Sequence, residues 1–276
     1  MCIRDRNTTI AGVRVSPLFG GIRIGSLENA KIEDVVMELG DHLPYSNDHG
    51  NDTAIAQGFG ACSNVDINRV TVVGRSHPFD TTSFVGDNRN FKVRNCTFQS
   101  NARPPGTHET GGVDFLFNEI YRGDRSDSDH EAAIGIVLRS KYGRVEGNRI
   151  WMEAGTGVNL AVGTNVVKNN EIFGAAIAVN FAITLSVGKC EDTVISDNQF
   201  RRCWKAVNMS GAEAAHVINN LSVDGFGADH WNFSNSDNMY VNGNRTVRHT
   251  NEPTVYNTTG ATNLNPGPIE AHNYIM

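Results

Sequence analysis

Residues Val145–Ile150 read VEGNRI, and the same pattern returns as VKNNEI at Val167–Ile172 and as ISDNQF at Ile195–Phe200. The template is an apolar residue, two of any kind, an asparagine, one more, and a second apolar residue. Sliding it along the chain gives ten matches, with Val13, Val35, Val70, Cys96, Asn118, Asn148, Asn170, Asn198, Asn220 and Asn244 in the central column. The successive spacings are 22, 35, 26, 22, 30, 22, 28, 22 and 24, so a unit of 22 recurs four times and the longer intervals read as that unit plus insertions. About ten residues after each column comes a second alternating run, as in GIRI, AIGIVL, GVNL, AVNF, AVNM and HWNF. Each unit therefore holds two or three short strands joined by tight bends. A unit this small cannot bury its own apolar face, but stacked copies make one continuous core.

The composition agrees. Of 276 residues, 31 are Asn and 28 Gly but only 10 Leu, which favours bends over helices. Hydrophobic residues make up 39%, enough for a core and too many for general disorder. The net charge of −6 argues against a nucleic-acid partner, which needs a basic surface to displace counterions. No stretch approaches the roughly 18 uninterrupted apolar residues of a membrane span. Five cysteines have no pairing that the coil register brings together, so free thiols are expected. The opening MCIRDR is similar to translated adapter sequence. The natural start is then expected upstream, with the protein outside the cell or on a virion or cell surface.

These units resemble the right-handed parallel β-helix, the pectin-lyase-like superfamily that includes pectate lyases, polygalacturonases and phage tailspikes. The resemblance covers residues 10–257, with 1–9 expected to be a leader and 258–276 an irregular tail. It implies an all-β solenoid of about ten rungs with Asn118, Asn148, Asn170, Asn198, Asn220 and Asn244 stacked inward as a ladder. In the first four rungs the same column is apolar or cysteine.

Extra residues fall in four segments, 38–52, 74–82, 100–107 and 121–132, all expected between the third and first sheets on rungs 2 to 5. Long loops on one edge are how a solenoid makes a groove. Arg23, Asp52, Asp80, His108 with Glu109, and Arg139 with Lys141 should follow one another along the first sheet beside this wall, with His49 and His77 as further substrate contacts. Two carboxylates with cations alongside suit acid–base cleavage of a glycosidic bond. The polygalacturonase pattern is similar in places. NDTAIA, with Asp52, resembles that family's paired-aspartate strand, although Asn51 replaces one aspartate. THE, with His108, falls about where the family has Gly-His-Gly, and Arg139-x-Lys141 matches its substrate clamp. A lyase would instead take Arg139, Lys141 or His108 as base.

The expected function is polysaccharide binding with cleavage, by hydrolysis or elimination. The alternative is a non-catalytic tailspike-like or adhesive solenoid. Asn159, Asn180, Asn208 and Asn232 form a second, outward column whose amides would bond sugars or one another. Tyr121, Trp151 and Phe173 form an outward aromatic stripe, expected under the C-terminal tail or against a sister chain in a homo-oligomer. No cofactor or metal is expected; only Asp124, Asp127 and Asp129 could offer oxygens to Ca²⁺, without the glycine and distal glutamate of a Ca²⁺ loop.

Overall fold

The computed structural model describes residues 2–3, 7–15, 21–24, 28–39, 53–57, 62–74, 77–81, 89–100, 105–108, 112–122, 134–139, 142–161, 163–181, 190–227, 229–247 and 256–266. Among them there is no helix, and three parallel sheets of eleven, eleven and ten strands run the length of a coil. Every third strand in sequence pairs, so each circuit gives one strand to each sheet. The third sheet has one strand for each expected rung; the others extend it by one. The coil accordingly exceeds its expected limits. Cys2–Ile3, in the expected leader, pairs with Ile22–Ile24, and Asn265–Pro266, in the expected tail, pairs with Tyr240–Asn242.

The asparagine ladder is present and its bonds repeat. The Asn148 side-chain amide donates to the Phe115 carbonyl and to Asn170 Oδ1, both at 2.9 Å. Its own Oδ1 accepts the backbone and side-chain N–H groups of Asn118, again at 2.9 Å. Asn170, Asn198 and Asn220 repeat the arrangement. Both donors and both lone pairs of each amide are used, so a fully buried polar column costs little. Where the column is cysteine, the Cys96 thiol reaches the Ile67 carbonyl, the group that an asparagine would bond on that rung.

The residue before each of the ten column positions has a left-handed backbone, with φ between 53° and 67°. Three are glycine, three asparagine and two aspartate, the types that tolerate it best. Arg69 and Phe117 are exceptions. The Arg69 guanidinium forms a two-pronged bond to Asp34, its neighbour in the same column, at 2.6 and 2.8 Å. Phe117 lies over Gly147, where an added Cβ would stand 2.4 Å from the ring.

Inward columns of Ile, Val, Phe and Met fill the bore, as with Met37, Val72, Phe98, Ile120, Ile150, Ile172 and Phe200 on the third sheet. The next two positions are Ser222 and Thr246, and both are buried with partners: Ser222 with His230 and Thr246 with the Trp231 indole N–H. Cys62, Cys96, Cys190 and Cys203 are buried free thiols, as expected.

Asn170→Leu should orphan the Asn148 amide and the Val145 carbonyl, costing about 1–3 kcal/mol per unpaired group. Asn64→Ala, in an exposed asparagine stack at another bend, should cost far less. Urea denaturation of both variants checks the contrast; equal midpoint shifts would refute the ladder's role. Burial pushes the Cys96 and Cys203 thiols up to about 12, whereas an unfolded thiol titrates near ~8.5. The folded chain then keeps protons that the unfolded chain releases, so stability should be level below about pH 8.5 and fall as pH rises toward about 12. Denaturation midpoints across that range test the slope. A thiol reagent at neutral pH should leave the four described cysteines unmodified until the chain unfolds.

Candidate functional site

One column of paired positions crosses the first sheet from end to end. It runs Cys2, Arg23, Ala56, Asp80, Gly106, Val137, Asn159, Asn180, Asn208, Asn232 and Asn257. The expected acidic cluster and the expected asparagine column are therefore parts of one line, at ~4.8 Å per step. The register corrects one expectation: the residue between Arg23 and Asp80 is Ala56, not Asp52 or Ala54. Thr53 pairs with His77, three residues back from Asp80, about 10 Å along the strand. The strand begins later in the sequence than the repeat implied, because the preceding connection takes up the extra residues.

His108 pairs directly with Arg139 on the next strand, and Asp80 lies opposite Gly106, two residues before His108. Asp80, His108 and Arg139 thus share the alternation that carries Asn159 and Asn180 on later coils. Asp52, His49, Glu109 and Lys141 lie outside the described residues, as do Asp124, Asp127 and Asp129. Arg23, His77, Asp80, His108 and Arg139 are described as strand positions only.

The amide column bonds to itself. Asn180 donates to Asn159 at 3.0 Å, Asn208 to Asn180 at 2.6 Å, and Asn232 to Asn208. Asn159 and Asn232 are only 6% and 8% exposed, less open than an outward column implies, while Asn180 and Asn208 are half-buried. Each amide in the stack keeps a second N–H beyond the one its neighbour takes.

The connections from the third to the first sheet are long in only part of the expected wall. Thirteen residues separate Val36–Leu39 from Thr53–Gln57, and eleven separate Glu119–Arg122 from Ile134–Arg139. On the intervening coil, however, two residues separate Thr71–Gly74 from His77–Thr81. The segment 74–82 is thus mostly strand, and its surplus falls after the first sheet, before Arg89–Arg94.

The aromatic stripe faces outward on the third sheet. Tyr121 and Trp151 stack with centroids 4.5 Å apart and planes 2° from parallel. Rings stacked along the coil axis cover one another's faces and turn their edges outward. Arg149 sits beside them between Glu119 and Glu171, and the Arg202 guanidinium lies 5.7 Å from the Phe173 ring centre. On the second sheet Arg94 grips Asp66 with two bonds of 2.7 and 2.8 Å, holding that carboxyl below the usual carboxylate range. These charges are spent on each other. The repeat gave no warning of a second exposed aromatic pair, Trp204 and Phe226, in turns toward the first sheet. Its only sequence sign is two large rings interrupting turns that otherwise hold small or polar residues.

A family model described as right handed beta helix region matches residues 84–222. No curated protein matches the chain. Among solved structures, PfbA, a surface adhesin of Streptococcus pneumoniae, is similar at 14% identity with a TM-score of 0.56, covering 89% of this chain and 64% of its own. A DFA-IIIase from Arthrobacter chlorophenolicus A6, in complex with GF2, is similar at 13% identity with a TM-score of 0.46, covering 91% and 63%. The chain thus spans less than two thirds of the length of either. With half of its residues matched by the model and a parallel three-sheet coil throughout the described ones, the chain belongs to the right-handed β-helix family.

Proposed function

We propose that the protein binds a polysaccharide along the outer face of the first sheet and cleaves it around Asp80, His108 and Arg139. The observation that carries this reading is the register. A carboxylate, an imidazole and a guanidinium position fall on three adjacent strands and on one face; Asp80 is in line with the row of amides, and His108 and Arg139 lie two residues along from that line. A carboxylate and an imidazole can donate and accept a proton at a glycosidic oxygen. An arginine can hold a uronate carboxylate with two bonds, or take the proton beside it in an elimination. The face is rigid, because every strand under it is paired on both sides, and positioning is most of what such groups need. A surface or extracellular setting suits a polysaccharide ligand, and the similarity to a surface adhesin is consistent with it.

The second reading is an adhesive or structural solenoid that holds glycan without cutting it. What favours it is the amide column, whose members bond one another and are partly covered.

Incubation with polygalacturonate, alginate, xylan, mannan and a β-glucan, reading reducing ends and the absorbance of unsaturated ends, decides between the two. His108→Ala and Arg139→Ala should each lower turnover by about 10²-fold or more with an unchanged melting temperature. Asn208→Ala should keep turnover near the wild-type value and weaken only the binding of long chains. Full turnover in both groove variants would remove these residues from the reaction. No turnover by a folded wild-type chain that still binds glycan would establish the adhesive reading instead.

A further inference from the structure

Trp204 and Phe226 are 52% and 57% exposed, on adjacent coils, in the turns that lead from the third sheet into the first. Their ring centres are 5.6 Å apart at an interplanar angle of 63°, so one ring turns its edge to the other and about half of each side chain stays open to solvent. The chain beneath them is fixed. The Trp204 carbonyl accepts the Gly227 N–H at 2.9 Å and His230 Nδ1 at 2.8 Å. A carbonyl only accepts, so Nδ1 carries the proton and Nε2 accepts the Ser222 hydroxyl at 2.7 Å. Both His230 and Ser222 are fully buried.

Glycines flank Phe226 for a reason. A Cβ on Gly225 would stand 2.2 Å from His230 Cε1, and one on Gly227 would stand 2.2 Å from Trp204 Cδ1. The indole therefore lies against bare backbone on the following coil. On the preceding coil its register neighbour is Ala176, since Lys205 pairs with Ile177. Small neighbours on both sides leave the ring open.

We propose that Trp204 and Phe226 form a stacking platform for a sugar ring, a glycan-binding subsite three coils beyond Arg139. It rests on the reading that the protein binds glycan, but not on cleavage. The C–H face of a pyranose is drawn to the negative face of an aromatic ring. Its hydroxyls need donors and acceptors at the rim, and Lys205 and Asp229 supply both. They form an ion pair at 3.9 Å, longer than a hydrogen bond, and both side chains are partly exposed. Asn208 follows Trp204 by four residues, about 13 Å along an extended strand, with an N–H to spare toward a continuing chain. A platform held rigid before binding avoids the cost of ordering it. The patch is too small for a protein partner. Two aromatic side chains of roughly 150–250 Å² each, only about half exposed, offer less than the ~500 Å² that each partner buries in even a small stable protein interface.

The chain has three tryptophans. Trp231 is buried and Trp151 is stacked on Tyr121, so a fluorescence change on glycan binding should report Trp204. The full chain is titrated with polygalacturonate, alginate, xylan, mannan and a β-glucan, reading fluorescence together with affinity electrophoresis. At least one glycan should shift the emission. Trp204→Ala and Phe226→Ala should each weaken its binding by about tenfold with circular dichroism and melting unchanged. Gly227→Ala, whose Cβ would stand 2.2 Å from both the indole Cδ1 and the Trp204 carbonyl oxygen, should weaken it too, with a lowered melting temperature. His108→Ala and Arg139→Ala should keep the fluorescence response even where turnover is lost, which separates this subsite from the cleavage face. Unchanged affinity in Trp204→Ala for every glycan that the wild type binds overturns the proposal. So does a wild type whose bound glycan leaves the emission unmoved, or one that binds no glycan. Loss of a dimer in Trp204→Ala by light scattering, with glycan binding intact, would assign the pair to a protein contact and overturn it as well.

Discussion

A primary amide offers two N–H donors and two lone pairs, and in this coil the buried asparagine column uses all four on every interior rung. The need is geometric. Where the chain bends from the second sheet to the third, one carbonyl of each strand and one backbone N–H of each bend point inward without a ladder partner. Buried and unpaired, each would cost about 1–3 kcal/mol. An asparagine at the bend takes both, and its remaining donor and lone pair meet the next asparagine. The arrangement works only if successive bends stand one strand spacing apart, so the amides and the sheets enforce the same rise. A continuous apolar bore then follows.

The bend imposes a second demand that shapes the composition. The residue before the column position, amide or not, is left-handed on all ten coils. That position admits glycine, asparagine and aspartate at little cost, and eight of the ten are of these types. Arg69 and Phe117 bear the strain and stand where a neighbouring coil gives something in return: the Asp34 carboxylate in one case, the bare surface of Gly147 in the other.

These two demands explain what could be read from the sequence and what could not. A repeat of 22 with asparagine at a fixed place encodes the ladder, the three sheets and the inward columns, because each rung meets the same local requirement. Insertions obey no such rule. The segment 74–82 has the turn-rich look of a loop, yet His77–Thr81 is a first-sheet strand, because pairing with Thr53–Gln57 outweighs local preference. The same shift put Ala56 rather than Asp52 between Arg23 and Asp80. Pairing runs past residues 10–257 for a related reason. Strand edges recruit short flanking segments such as Cys2–Ile3 whatever their own pattern. Trp204 and Phe226 escaped notice because their setting depends on contacts eight or more residues away, above all the bond of His230 to the Trp204 carbonyl.

The two halves of the coil also differ in what they spend their polar groups on. In the first half the first sheet carries charged positions from Arg23 to Arg139, and connections of thirteen and eleven residues lead into two of its strands. In the second half the same line becomes asparagine, and the amides satisfy one another. A self-bonded amide row is already desolvated, so a ligand lying on it meets spare N–H groups held at a fixed repeat without having to strip water from free charges. That suits a long, repeating, hydroxyl-rich chain better than a compact charged one, because only the former can use the same contact on coil after coil. The solenoid's single register thus places Arg23 and Asp80 in one line with Asn159, Asn180, Asn208 and Asn232.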